Sequence, residues 1–190
     1  MLSAPRHAAH LVANVDAAHE HLARFKPDVL LISGTPKVGD AVLATATIAL
    51  NLHHGFVPLY WGVSSSDWAT LERNFNYYVV TVHVAVSALD AGKVVSASYV
   101  TPYYGEPWWL FHRRLMLAGA TLMVEAAKSW PNLQFVEQPA GLTARNFRHK
   151  DKHANHSRRV EEVFESSDGR RYAFLQKIGL PCRKWSESKS

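Results

Sequence analysis

Histidine is the residue type in this 190-residue chain with the most obvious capacity for chemistry, since there are eleven of them. His19 and His21 are two apart on a predicted helix and therefore face different ways, which disfavours ligation of one metal by both. His53 and His54 are predicted at a helix end, where an imidazolium suits the helix dipole. There is no His-Glu-x-x-His pattern and no carboxylate spaced to complete a site. We therefore expect no metal.

Serine and the remaining histidines suggest no catalytic machinery either. Residues 64–66 are three serines, but the Gly-x-Ser-x-Gly elbow of a serine nucleophile is missing. His83 lies in an apolar run and is interpreted as a core histidine rather than a base. His149, His153 and His156 are interpreted as contacts to RNA or solvent. No catalytic residue is predicted, and the chain is expected not to be an enzyme.

A glycine-rich turn follows the first apolar run, where phosphate-binding loops occur. Gly34 and Gly39 have the right gap, but Asp40 stands where a phosphate loop has lysine. An aspartate at that position would repel the anion, so a tight turn between strand and helix is favoured. The dinucleotide glycine pattern is also missing, and no cofactor is expected.

Aromatic and basic side chains are grouped in two places. The first group could stack on bases and bind phosphate, or could simply pack a helix on a sheet, and it comprises Tyr103, Tyr104, Trp108, Trp109, Arg113 and Arg114. The second group is the densest basic cluster and comprises Arg145, Arg148, Lys150, Lys152, Arg158 and Arg159. For this cluster RNA contact is preferred to a solvated tail. Arg113 and Arg114 are included among the predicted RNA-binding residues.

Charge divides the chain into two parts. Residues 1–140 contain 9 Lys and Arg against 10 Asp and Glu, whereas residues 141–190 contain 12 against 6. A neutral body with a basic end suits a polyanion, because each neutralised phosphate releases counterions. The alternative is that this basic end of the chain only keeps the protein soluble. We predict a domain over residues 6–140 and a basic, His-rich extension over residues 141–190.

Hydrophobic periodicity predicts an α/β protein with a three-layer, Rossmann-like domain and a mainly parallel sheet. The expected helices are 6–25, 40–52, 66–75 and 106–130, and the expected strands are 29–32, 56–60, 77–86, 94–100 and 133–136. The extension should carry an amphipathic stretch at residues 160–164 and a hairpin near residues 167–170.

Composition narrows the cellular setting. Cys182 is the only cysteine, which excludes an intrachain disulfide framework and indicates a reducing compartment. No run of about 18 apolar residues exists, so no membrane span is expected. The first 15 residues resemble a transit peptide faintly, but their apolar spacing favours a packed helix.

Three short motifs resemble the small-subunit ribosomal protein S-two family. They are the strand and turn ending in Gly34-Thr35, the pair Trp61-Gly62, and the helix start Asp67-Trp68. Their spacings agree with the family within about two residues over residues 11–76. The family's opening His-x-Gly-His segment and its protruding helical hairpin are missing, and Tyr60 stands where the family has arginine.

The resemblance implies a structural protein of a small, mitochondrial ribosomal subunit, located in the matrix within the ribosome. Its partners would be rRNA and neighbouring ribosomal proteins, with no membrane and no small-molecule substrate. The alternative is a small Rossmann-like enzyme that binds a phosphorylated or nucleotide ligand in the crevice at the strand carboxyl ends. That crevice would contain Ser33, Gly34, Thr35, Trp61 and residues 64–67.

Overall fold

The computed structural model describes residues 11–139 and 141–166. The helices are α1 (His19–Phe25), α2 (Asp40–Leu43), α3 (Ser65–Leu71), α4 (Trp108–Lys128) and α5 (His156–Phe164). The strands are β1 (Val29–Ser33), β2 (Ile48–His53), β3 (Tyr60–Gly62), β4 (Val79–Val84), β5 (Val94–Tyr99) and β6 (Arg145–Phe147). The hairpin predicted near residues 167–170 lies outside the described residues.

The main sheet has the strand order β1-β2-β4-β5. β1 is parallel to β2, whereas β4 is antiparallel to both β2 and β5. Three of the four strands therefore run in one direction and only β4 is reversed. This confirms the predicted Rossmann-like α/β class with a mainly parallel sheet. β3 and β6 form a separate two-stranded parallel sheet.

Helix α4 covers one face of the main sheet. Leu50, Leu52 and Val82 pack with Met123 and Ala126 of this helix in one buried cluster. Because side chains alternate along a strand, the residues between these apolar positions point to the opposite face. Those residues are polar: Asn51 and His53 in β2, and His83 in β4. The main sheet therefore has one apolar face and one polar face.

The helix predicted over residues 40–52 is wrong, and so is the strand predicted over 56–60. Helix α2 has one turn, and residues 48–53 form strand β2, because their apolar residues alternate with a period of two. Residues 56–59 form a turn that leads into the short strand β3. Residues 133–136 contribute a single bridge, between Val94 and Val136. The strands within 77–86 and 94–100 and the helix within 106–130 are confirmed.

Residues 141–166 pack against the rest of the chain. β6 pairs with β3, and Val160 and Phe164 of α5 are buried in the same cluster as Trp108 and Phe111 of α4. The rings of Phe111 and Phe164 stack with centroids 5.1 Å apart. The boundary at residues 140 and 141 stays a prediction, but the described part beyond it shares one core with the body.

The helices of residues 11–139 and 141–166 are all too short or too polar to cross a membrane.

Replacing Phe164 with alanine should lower the free energy of unfolding by about 3–5 kcal/mol, because a fully packed aromatic ring is removed from the core. The exposed Glu161 on the same helix is the control, and its alanine variant should change stability by less than about 0.5 kcal/mol. Urea unfolding measures both. Equal, small effects would show that α5 does not belong to the cooperative core.

Candidate active site

Four polar side chains converge on the sheet face opposite α4. Asn51 and His53 come from β2, and His83 comes from β4, where it lies directly opposite Asn51 in the antiparallel ladder. Asp90 comes from the loop between β4 and β5. His53, His83 and Asp90 are only 6%, 2% and 5% exposed. Buried ionisable groups that contact one another are the feature that most often marks a functional site.

His83 and Asn51 fix each other's orientation. The His83 Nδ1 atom lies 2.9 Å from the carbonyl oxygen of Val84, which can only accept, so Nδ1 carries the proton. The His83 Nε2 atom then accepts a hydrogen bond from the Asn51 amide nitrogen at 3.0 Å. The NH2 group of Asn51, rather than its carbonyl oxygen, therefore faces His83. The second N–H of this group can donate to another acceptor.

His53 and Asp90 are both held by the backbone of β3. The His53 Nε2 atom lies 2.7 Å from the carbonyl oxygen of Tyr60 and therefore donates to it. The Asp90 Oδ2 atom accepts from the amide of Gly62 at 2.8 Å. The other carboxylate oxygen lies 3.6 Å from His53 Nδ1 and 3.4 Å from His83 Nε2. Asp90 thus faces both imidazoles.

Burial sets the protonation states of this cluster. Burial lowers the pKa of His53 and outweighs the Asp90 carboxylate and the Tyr60 carbonyl, which act in the opposite direction. Burial alone would raise the pKa of Asp90, but contacts with His83, His53 and the Gly62 amide together hold that pKa below its usual range. At neutral pH the site therefore contains a neutral His53 beside an ionised Asp90.

A neutral imidazole beside a carboxylate can accept a proton from a substrate, because the carboxylate stabilises the imidazolium that forms. His53 Nδ1 is the atom that can take it. An oriented amide N–H can stabilise negative charge that develops on a carbonyl oxygen. The arrangement therefore has the two elements that acyl transfer to a weakly acidic nucleophile needs.

β6 supports β3 from the side away from Asp90. Gly62 pairs with Phe147, and the amide of Val63 donates to the Phe147 carbonyl. The Phe147 ring stacks on Trp68 with centroids 4.5 Å apart and planes 9° from parallel. The short strand that holds His53 and Asp90 is therefore fixed by a segment more than 80 residues further along the chain.

A polar network reinforces the same support. The Tyr60 hydroxyl donates to Glu72 at 2.6 Å and accepts from Asn74 at 2.7 Å. Glu72 also pairs with Arg145 of β6. Burial and the hydrogen bond to Glu72 raise the pKa of the Tyr60 hydroxyl, so it remains a donor at all ordinary pH values.

The residues predicted to bind RNA are not brought together as one surface. Arg145 pairs with Glu72, Arg158 pairs with Glu162, and Arg114 pairs with Glu106 at 2.7 Å and stacks over Tyr103. Among the described residues no ion pair is formed by Arg113, Arg148, Lys150, Lys152 or Arg159. Their contact with RNA stays a prediction.

The family-motif residues have different roles from those that the ribosomal resemblance implied. Gly34 lies in an open turn after β1 at a φ of 64°. Gly62 contacts Asp90, and Trp61 lies beside it in β3. Asp67 lies 3.3 Å from the Nε2 atom of His156, and Trp68 is part of the core.

Sequence reasoning missed all four residues of the cluster. The helix predicted over residues 40–52 concealed the signal, since Asn51 and His53 share a face only in a strand. Two polar residues spaced by two within an otherwise apolar strand were the available clue. His83 was interpreted as a core histidine. It is indeed buried, but its side chain contacts Asn51 and Asp90.

No protein-family model matches the sequence. Solved structures with a similar fold include formyltransferases. One is the formyltransferase PseJ from Anoxybacillus kamchatkensis in complex with UDP-4,6-dideoxy-4-formamido-L-AltNAc and tetrahydrofolate, at 25% identity and a TM-score of 0.55, covering 66% of this chain and 68% of PseJ. A 4-N formyltransferase from Francisella tularensis matches at 12% identity and a TM-score of 0.59, covering 73% of this chain and 56% of its own.

HypX from Aquifex aeolicus, in complex with tetrahydrofolic acid, is also similar, at 16% identity and a TM-score of 0.58. The similarity covers 81% of this chain but only 28% of HypX. Below 25% identity such similarity establishes the fold. The chain therefore has the architecture of a domain that also occurs within larger proteins.

These neighbours contradict the ribosomal interpretation. The protein was expected to be a non-enzymatic, rRNA-binding constituent of the mitochondrial ribosome without a small-molecule substrate. Its structural neighbours instead include formyltransferases, and PseJ and HypX are in complex with small molecules. The resemblance failed because Trp61-Gly62 belongs to β3, outside the main sheet, instead of ending a strand within it. The alternative, a small enzyme with a ligand crevice, fits better. The mitochondrial location stays a prediction.

Replacing Gly62 with alanine should open the β3–β6 pair, because the added Cβ would lie 2.1 Å from the Phe147 carbonyl oxygen at a φ of 87°. Gly105 is the matched control, since it has a φ of 75° but open space around its Cβ position. Both variants incur about 1–2 kcal/mol of backbone strain. In urea unfolding, we expect the Gly62 variant to lose at least about 2 kcal/mol more than the control. Equal losses would refute the support of β3 by β6.

Acid should destabilise the protein through His54, whose half-buried side chain lies beside α4. Its pKa is lowered to about 4, because partial burial and the nearby His53 and His112 oppose its protonation. The unfolded chain binds this proton below a pH of about 6.5, so stability falls between about pH 6.5 and 4. At pH 5 the loss is about 2 kcal/mol. Unfolding curves of His54→Leu should show a shallower fall, whereas the exposed control His149→Leu should match the parent.

Proposed function

We propose that this protein is a formyltransferase that moves a formyl group from a tetrahydrofolate carrier to the amino group of a sugar. The buried cluster of Asn51, His53, His83 and Asp90 carries the proposal, since it supplies the proton acceptor and the amide donor that the reaction requires. The similarity to PseJ, which contains both a formamido sugar nucleotide and tetrahydrofolate, supports the choice of donor and acceptor.

His53 accepts the proton of the incoming amine, and Asp90 stabilises the positive charge that this creates. As the new carbon–nitrogen bond forms and the bond to the carrier nitrogen breaks, the amine must lose a proton and the carrier nitrogen must gain one. His53 Nδ1 accepts the proton and returns it, while Asp90 stabilises the imidazolium from 3.6 Å. The hydrogen bond from His53 Nε2 to the Tyr60 carbonyl keeps the ring in the required tautomer.

Asn51 provides the donor for the formyl oxygen. Its NH2 group is oriented by His83, which is itself fixed by the Val84 carbonyl. The second N–H of the amide then already points towards that oxygen when negative charge develops on it, so no reorganisation is needed. His83 is a positioning residue in this scheme, because it acts through Asn51.

In this proposal the folate lies beside the loop that joins β1 to α2. Residues 34–38 join β1 to α2 without regular structure, and a side chain at Gly34 would meet no atom within 4 Å. The loop after β4 contacts the start of α2 through a hydrogen bond of 2.5 Å from Ser87 to Asp40. Backbone groups of residues 34–38 would hydrogen-bond the heterocycle. When bound, the folate supplies the activated formyl group.

Purified protein should transfer labelled formyl groups from formyl-tetrahydrofolate to a UDP-linked 4-amino sugar. His53→Gln, Asp90→Asn and Asn51→Ala should each lower kcat/KM by about 100-fold or more. Ser98→Ala in β5, away from the cluster, should retain the parent rate within about twofold. The parent rate should be maintained to below pH 6.5, because the pKa of His53 is lowered.

A folded parent protein that transfers formyl to no sugar amine would contradict the proposal. So would three cluster variants with the activity of Ser98→Ala.

A further inference from the structure

The exposed side of helix α4 is largely apolar. Six of its exposed residues lie within an arc of about 100° around the helix axis, given 3.6 residues per turn. They form the outer stripe, which comprises Trp109, Arg113, Met116, Leu117, Ala120 and Val124. Trp109 and Leu117 are 63% and 60% exposed. Arg113 is the only charged member, and it forms no ion pair with another described residue.

This stripe is unusual, because the solvent side of a surface helix is normally polar or charged. Helix α5 has the normal pattern, and its exposed residues are Ser157, Arg158, Arg159, Glu161 and Glu162. The apolar surface is therefore particular to α4. Contiguous exposed apolar surface of this kind marks an interaction site more often than it is neutral.

The stripe is large enough for a specific interface. Its four apolar side chains other than Ala120 expose roughly 400 Å². Tyr103 extends the surface, because the guanidinium of Arg114, next to Arg113, lies 3.7 Å from the centre of the exposed Tyr103 ring. With Tyr103, Arg113 and Ala120 included, one copy exposes about 700 Å², so two copies that cover each other bury about 1,400 Å², the size of a standard interface.

The order of residues along the stripe favours a second copy of this chain as the partner. Successive members are separated by 4, 3, 1, 3 and 4 residues, so the spacing is the same in both directions. A twofold interface needs this self-complementarity, since residue i contacts residue j and j contacts i. In an antiparallel pair of α4 helices, the facing positions are Trp109 with Val124, Arg113 with Ala120, and Met116 with Leu117. The small side chain of Ala120 leaves room for Arg113.

We propose that the protein forms a homodimer through the outer stripe of α4, with the two helices antiparallel about a twofold axis between Met116 and Leu117. This inference goes beyond formyl transfer and does not rest on it. It gives a role to Trp109 and Arg113, which the cluster around His53 leaves unused. Because α4 covers the face of the main sheet opposite that cluster, dimerisation leaves both candidate sites uncovered.

Sedimentation velocity of the full chain at micromolar concentrations measures the oligomeric state. The parent should sediment as a dimer. Leu117→Glu should weaken dimerisation by about tenfold or more, because it places an unpaired carboxylate on each side of the axis within an apolar contact. The control is Leu142→Glu, the same replacement at an exposed leucine in the loop between α4 and β6, and it should dimerise within about twofold of the parent. Thermal unfolding should show that both variants are folded.

Disulfide crosslinking tests the antiparallel register. On a Cys182→Ser background, the Arg113→Cys/Ala120→Cys double variant should form an intermolecular disulfide, because these positions face each other across the axis. Seven residues span about 10 Å along a helix, so the two positions of one copy lie too far apart to bridge. For the same reason each single variant should stay uncrosslinked. Crosslinking of the single variants, or none in the double variant, would overturn the register.

Other occupants of the stripe give different results. A parent chain that stays monomeric up to a concentration of about 100 μM would overturn the proposal. If Leu117→Glu also lowers the stability of that monomer more than Leu142→Glu does, another segment of the same chain covers the stripe. If the monomer binds vesicles of phosphatidylcholine and phosphatidylserine, the stripe contacts a membrane surface instead. A dimer that Leu117→Glu and Leu142→Glu affect equally would overturn the assignment to α4.

Discussion

The backbone of a three-residue strand controls the candidate active site. Two groups of β3 reach the side chains of the candidate site, since the Tyr60 carbonyl accepts from His53 and the Gly62 amide donates to Asp90. Backbone groups are fixed once a strand has formed, so they orient side chains more rigidly than other side chains do. The tautomer of His53 and the direction of the Asp90 carboxylate both depend on β3 keeping its position.

Such a short strand is not stable alone, and its support comes from distant parts of the chain. β6 supplies the ladder, Phe147 packs on Trp68, and Arg145 joins Glu72 and Tyr60 in one polar network. α5 then continues into the main core through Phe164. The basic segment therefore contributes to the position of the site, because its paired Arg145 helps to fix β6 against β3.

The sheet separates stability from chemistry. One face is filled by Leu50, Leu52 and Val82 under α4, and hydrophobic burial there stabilises the fold. The other face holds polar side chains in a buried position, where desolvation opposes charge on His53 and neighbouring groups favour charge on Asp90. Because both faces belong to the same strands, the packing under α4 positions the polar residues on the opposite face.

The sequence by itself determined the class of the fold and its longest elements. The apolar runs of β4 and β5 and the long amphipathic pattern of α4 are local signals, and they appear in the structure where they were expected. The site was decided by tertiary structure, because Asn51, His53, His83 and Asp90 meet only when β2 and β4 pair and a loop folds back over them. The stretch from residue 40 to 53 was ambiguous between helix and strand, and only pairing with β1 and β4 selected the strand. Local periodicity carries no information about which strands become neighbours, so it predicted the helix and strands named above but not the candidate site.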